Sequence, residues 1–206
     1  MTKQRKLAII AAVIIVVFVL MDQLLKCWVV RHMALYQTIP LLGEWLNLHY
    51  ILNEGMAFGL SFGENIGKLA LSLIRIGVVG FLLYYMIKRI RQEKIDALAV
   101  SVLSLIIAGA LGNIIDSAFY GLLFQGKPFM FGSVVDMFYI RLFLMPEWFP
   151  LFGGEYFFPA IFNIADSCVT VGIIVMLCFY KHFFREEKEG KDAKKESEKE
   201  VPVKEN

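Results

Sequence analysis

Four apolar stretches, each about as long as a bilayer is thick, limit what this chain can fold into more than any motif does. The first, Leu7 to Leu25, follows Lys3, Arg5 and Lys6 and is close to the ~20 residues a helical span requires. A secretory signal opens in the same way, but its apolar core is only ~7–15 residues and ends at a small-residue cleavage site. Here the run is longer and ends in Asp22-Gln23-Leu24-Leu25-Lys26, so it is read as a retained span. Three more spans are expected over about 68–87, 95–115 and 163–184. Hydrophobic residues make up 58% of the 206-residue chain, against ~45–50% in soluble domains, which excludes a soluble enzyme. A net charge of +2 gives no footprint for nucleic acid. The three cysteines, Cys27, Cys168 and Cys178, form neither a disulfide framework nor a metal-ligand spacing, and are expected to be small buried residues.

The connections differ in character. Within 27–66, the stretch Trp45 to Leu52 alternates partly and is rich in β-formers, so a strand is predicted there, with Asn53-Glu54-Gly55 as a turn. Ser101, Ser104, Ala108, Gly112 and Asn113 in the third span favour close helix contact. The long segment Asp116 to Ile161 contains Arg141 to Pro150, whose prolines and charges make it interfacial rather than spanning. The tail 185–206 is nearly all Lys, Glu and small residues, too polar to bury a core, and is expected to be disordered. The expected architecture is thus an all-α membrane protein. Four transmembrane helices in one domain, 1–184, carry a small outer-face β-containing subdomain and an interfacial segment. Lys and Arg crowd the amino end, the 88–94 loop and the start of the tail, which orients both termini to the cytoplasm. Asp22, Asn53, Asp116, Asp136 and Asp166 then converge on the outer face.

The chemistry has to come from that convergence. On a helix, Asn163, Asp166, Ser167 and Thr170 share one face. Asp166 reads equally as an inward-facing functional carboxylate or as a solvated first-turn residue favoured by the helix dipole. His32, His49 and His182 are scattered, so no histidine dyad or metal cluster is expected, and Lys26 and Lys68 are too shallow for a Ser-Lys hydrolase. Carboxylates remain. Two close aspartates cannot both ionise easily, so one keeps a proton while the other activates water. Asp136 and Asp166 are far apart in sequence, but the connection between the third and fourth spans returns to the same membrane face. Asp22 and Lys26, four apart on a helix, read as a structural ion pair. Asp116 reads equally as a helix-end hydrogen-bonding group or as a catalytic one.

Five stretches in order carry a resemblance: Asp22-Gln23-x-x-Lys26, Asn53-x-Gly55-x-Ala57-Phe58, Gly109-Ala110-Leu111-Gly112-Asn113-x-x-Asp116, Val134-Val135-Asp136 and Phe162-Asn163-x-Ala165-Asp166-Ser167. The chain resembles lipoprotein signal peptidase (signal peptidase II), an aspartic peptidase family of the bacterial inner membrane. The resemblance runs from the first span to the end of the fourth. It implies Asp136 and Asp166 as the catalytic dyad, with Asn53, Gly55, Asn113, Asp116, Asn163 and Ser167 as substrate-binding or supporting residues. The implied substrate is a prolipoprotein whose cysteine already carries a diacylglyceryl group, cut just before that cysteine at the outer edge of the bilayer. The implied surroundings are membrane lipid and a monomeric chain, with no metal or organic cofactor.

Two positions depart from the family pattern: Ser117 stands where an arginine is usual, and Met137 where a phenylalanine is usual. Two readings of Arg75, inside the second span, stand side by side: it snorkels to lipid phosphate, or it supplies the missing cation by pairing with Asp116. The rival functions are a small transporter or channel, which needs polar residues at several depths, and a non-catalytic assembly factor, which tolerates Asn at either aspartate.

Overall fold

The computed structural model describes residues 1–54, 64–150, 153–157 and 160–183, with backbone alone at 64–66. The predicted turn residue Gly55 and the tail 185–206 lie outside the described residues. Helix α1 (Lys3–His32) is capped by the Thr2 hydroxyl, which accepts from the Arg5 amide, and stops where Met33 turns extended. It outruns the expected 7–25 at both ends: Thr2 caps the start, and beyond Leu25 the helix continues so that Val29 packs, fully buried, beneath the sheet. Helix α2 (Glu64–Arg91) follows, then α3 (Ala97–Ile115), whose N-cap carboxylate, Asp96, accepts from the Ala99 amide at 2.9 Å. Helix α4 spans Ile164–Cys178.

Two later boundaries change as well. The third span does not end at 115: it continues as a wider π-helical extension over Asp116–Gln125, closed by Gly126 in the left-handed region at φ 64°. The first part of the expected long loop is therefore helical. The stretch expected as a fourth span, 163–184, is a 15-residue helix broken at Phe179, with helical residues beyond it. At 1.5 Å per residue α4 is about 22 Å long, shorter than a ~30 Å hydrocarbon core. Among the described residues, three helical segments, Lys3–His32, Gly67–Arg91 and Ala97–Gln125, are long and apolar enough to cross a membrane by length and composition.

Helix α3 is the axis of the bundle and packs against α1, α2 and α4. Its small residues are the cause. A Cβ on Gly109 would run into the Ala165 carbonyl oxygen, and one on Gly112 would lie 2.6 Å from the Asp22 carboxylate. Of the five residues expected at close helix contacts, Ser104, Ala108, Gly112 and Asn113 are buried, whereas Ser101 is only partly so. Gly109→Ala is expected to destabilise the protein by about 1–3 kcal/mol, because a methyl group there forces the backbones of α3 and α4 apart. Gly77→Ala, with nothing near its Cβ on α2, should leave the melting temperature unchanged or raise it. Equal melting temperatures for the two variants in detergent would contradict this packing. Outward faces carry Ile9, Val13, Val16, Leu73, Ile74 and Phe81, all exposed, as a lipid-facing surface demands. Cys168 is buried and Cys27 partly so, but Cys178 is exposed on α4, so the expectation of three buried cysteines fails there.

Strands β1 (Thr38–Leu42), β2 (Leu46–Asn53), β3 (Val134–Ile140) and β4 (Ile161–Phe162) form one antiparallel sheet in sequential order. Val135 and Met137 of β3 pack with Val29, Met33, Leu48 and Tyr50 into a cluster that seats the sheet on α1. The unusual Met137 is fully buried there, so it is a core residue and not a substrate contact. The expected interfacial segment is an extended arm. Met145 bonds Glu155, Phe157 bonds Phe143, and Arg141 lies over the rings of Tyr139 and Tyr156. Trp148 is 80% exposed at its tip.

Candidate active site

Antiparallel pairing builds the site. Phe138 of β3 lies opposite Phe162 of β4, so the next residue in register, Asn163, comes level with Met137 and beside Asp136. Asn163 is also the N-cap of α4, and its side-chain oxygen accepts from the Asp166 amide at 2.8 Å. The Asp166 carboxylate reciprocates by accepting from the Asn163 amide at 3.3 Å, closing a capping box. One local motif, Asn163-x-x-Asp166, thus starts a helix and aims a carboxylate.

Three asparagines then hold the two aspartates. Asn163 Nδ2 donates to Asp136 Oδ1 at 2.6 Å, and Asn53 Nδ2, at the end of β2, donates to Asp136 Oδ2 at 3.0 Å. Asn113 Nδ2, on α3, donates to Asp166 Oδ1 at 2.8 Å, while its oxygen accepts from Asn163 at 3.2 Å. Asp136 is 1% exposed, and Asp166 half-buried. Burial, and then the charge of Asp166, push the Asp136 carboxyl up to about 7.

A second, fully buried cluster lies behind the first. Lys26 Nζ sits 2.8 Å from Asp22 and 2.8 Å from Asp116, and donates to Asn113 Oδ1 at 3.0 Å. Asp22 accepts from the Ala165 amide at the start of α4, and Asp116 from the Val135 amide of β3. Gln23 Nε2 donates to both carboxylates and to the Gly112 carbonyl. Helices α1, α3 and α4 and strand β3 are therefore tied at one point, and Asn113 joins that point to the aspartates.

Of the residues singled out in the sequence, Asn53, Asn113, Asp136, Asn163 and Asp166 come together around one centre, and Asp22, Lys26 and Asp116 form the cluster behind it. Ser167 does not join them: its hydroxyl donates to the Asn163 carbonyl one turn back. Gly55 lies outside the described residues. Of the two readings of Arg75, the pair with Asp116 is absent; Lys26 and Gln23, closer in the fold, already occupy that carboxylate. Sequence reasoning also missed Glu54, which is bound by Lys68 at 2.7 Å and Lys127 at 2.9 Å. Hydrogen bonds from these two lysines hold its carboxyl down at about 2. Its place between Asn53 and Gly55 was the available signal. Gly132 was missed too: it lets the loop after the π-helical extension touch the Asp116 backbone, where any Cβ would clash.

This arrangement has known relatives. A family model described as signal peptidase (SPase) II matches residues 14–183. The lipoprotein signal peptidase of Porphyromonas gingivalis is 40% identical over 190 residues, covering 83% of this chain and 82% of that protein. That of Halalkalibacterium halodurans is 34% identical, covering 88% and 96%. A solved structure described as a bacterial membrane enzyme, determined at 1.9 Å, superposes with a TM-score of 0.58 at 30% identity, covering 82% of this chain and 90% of that one. A helical bundle with apolar spans, a sheet that brings aspartates together and a match over most of the chain agree: this chain belongs to the signal peptidase II family of membrane proteases that process signal peptides.

Proposed function

We propose that this chain removes the signal peptide from diacylglyceryl-modified prolipoproteins, cutting the peptide bond before the lipidated cysteine with Asp136 and Asp166 as an aspartic dyad. The observation that carries this reading is the pair itself: two carboxylates from β3 and α4, bridged through Asn163 and Asn113, with burial and then the charge of Asp166 pushing the Asp136 carboxyl up to about 7. Asp166, half-buried at the head of a helix, is the carboxylate that draws a proton from the attacking water. Asp136 holds the shared proton, hydrogen-bonds the scissile carbonyl as it becomes tetrahedral, and delivers the proton toward the leaving amine. Asn53, Asn113 and Asn163 fix both carboxylates before substrate arrives, so little reorganisation is left for the reaction itself. Asp22, Lys26 and Asp116 are the structural brace beneath the dyad. One copy of the chain supplies both aspartates, so a monomer suffices.

The membrane arrangement follows the same logic. Helix α4, continued beyond Phe179, is the fourth span; its recessed start puts the dyad just inside the bilayer surface. Lys3, Arg5, Lys6, Lys88, Arg89 and Arg91 lie at the end of the bundle opposite the sheet and face the cytoplasm of a bacterial inner membrane. The sheet and the exposed aromatic arm at Trp148 lie on the outer face, where a substrate anchored by its acyl chains presents its peptide bond. A transport path is disfavoured because the cytoplasmic half of the bundle is filled by Leu7, Ala11, Val79, Met86, Val100, Leu103 and Ile107.

The test is cleavage of a purified diacylglyceryl prolipoprotein by the purified protein, followed by gel shift across pH. The expected result is cleavage that falls as pH rises through about 7, where Asp136 loses the proton it must donate. An ordinary carboxyl, near ~3.9, would have lost it already by pH 5. No cleavage of the lipidated substrate, or undiminished cleavage to pH 9, would overturn the reading.

A further inference from the structure

Arg75 stands well inside α2, where a charge is costly unless something in the protein uses it. Its direction is given by its own helix. Among the described side chains of α2, Ser72, Val79, Met86 and Ile90 are buried, and Arg75 falls on the same stripe, three residues after Ser72 and four before Val79. Leu73, Ile74, Ile76 and Val78 take the exposed side. Arg75 therefore faces the bundle and not lipid. It lines a cleft of about 10 Å³ with Asn53, Glu54, Lys68, Ser72, Ser117, Gly132 and Val134, too small for a substrate side chain. The cleft adjoins the dyad, since Asn53 is the residue that donates to Asp136.

Charges around the cleft leave Arg75 with one task. Lys68 is committed to Glu54, as is Lys127, and Lys26 to Asp22 and Asp116. The carboxylates whose charge acts on Arg75 are Asp166 first, then Asp116 and Asp136. Ser117 is too short to reach the dyad and turns its hydroxyl to the Asn113 carbonyl. Resting on the peptidase reading above, we propose that Arg75 is a positioning residue of the dyad: its guanidinium, presented from α2 through the Ser117 cleft, stabilises the state in which one of the two aspartates is ionised. It takes over the charge that a longer side chain at position 117 would supply. The groups facing the dyad are then Arg75 from α2, Lys26 from α1, Asn53 from β2, Asn113 and Asp116 from α3 and its extension, and Asn163 from α4.

The test is the pH dependence of kcat/KM for prolipoprotein cleavage, read on both limbs. Removing a cation makes every nearby carboxylate harder to ionise, so in Arg75→Gln both limbs move to higher pH by about half a unit or more. Arg75→Lys, which keeps the charge, leaves them within about 0.2 units of their original positions. Adding Ser117→Arg to Arg75→Gln brings the limbs back. Unmoved limbs in folded Arg75→Gln overturn the proposal, and so does an Arg75→Lys profile as displaced as that of Arg75→Gln. Should Arg75→Gln fail to fold by thermal melting, the double variant decides. Recovery of fold with the original limbs supports the proposal, and a chain that stays unfolded or cleaves with displaced limbs overturns it. The unaltered enzyme is assayed alongside: its failure to cleave would sink the peptidase reading, whereas displacement of the limbs is read only on active protein.

Discussion

Asp136→Asn and Asp166→Asn should each lower cleavage of a diacylglyceryl prolipoprotein by a factor on the order of 10²–10⁴ or more, with little change in melting temperature. An amide can neither take a proton from water nor hand one to a leaving amine, and removing either function removes the reaction. Stability should survive because each substitution is nearly isosteric. At Asp136 it also replaces a buried group burdened by desolvation and by the charge of Asp166 with a neutral one. The new amide oxygen keeps the hydrogen bond from Asn163, and the NH2 that replaces Oδ2 is met when the Asn53 amide turns its own oxygen toward it. The measurement is single-turnover cleavage by gel shift beside a thermal melt of each variant. Near-normal turnover in either folded variant would remove it from the dyad and favour a non-catalytic role for the chain.

Lys26→Met should have the largest effect on stability, about 3–5 kcal/mol. The lysine is fully buried between Asp22 and Asp116, themselves 2% and 0% exposed, and its loss leaves two carboxylates in a dry interior without a cation. The cost falls where α1, α3, α4 and β3 meet, so it reaches the fold as a whole. Asp22→Asn should cost less, about 1–3 kcal/mol, since the side chain still accepts from the Ala165 amide and Lys26 keeps Asp116. It should lower yield and melting temperature more than the turnover of the protein that folds. Denaturant or thermal unfolding in detergent measures both. A Lys26→Met protein as stable as the original would mean that the cluster is held by something other than this ion.

Much of the architecture was legible because a bilayer leaves the chain few options. Apolar length announced α1, α2 and α3, and the alternation around Leu46–Asn53 announced β2. The boundaries were not legible. Nothing local stops a helix at 115, and the π-helical extension depends on Gly132 allowing the loop that follows to fold back against it. Nor was β3 read as a strand, since Val134–Ile140 becomes one only by pairing with β2 on one side and β4 on the other. The fourth stretch looked like a full span by hydropathy, and its helix starts where expected with Asn163 as its cap, but the regular helix ends at Cys178, broken at Phe179.

At the site, the sequence by itself determined which groups are available: the aspartates, the asparagines, the Asp22–Lys26 pair set four apart on one helix turn, and a stray arginine within a span. Short-range spacing is enough for such statements because helical geometry relates neighbours directly. Only the tertiary structure decided who meets whom. Register in the sheet brings Asp136 to Asn163, the glycine contacts of α3 bring Asn113 to Asp166, and Lys26 reaches Asp116 before Arg75 can. These contacts join residues far apart in the chain, and their distances are set by packing many side chains at once, which no local pattern encodes.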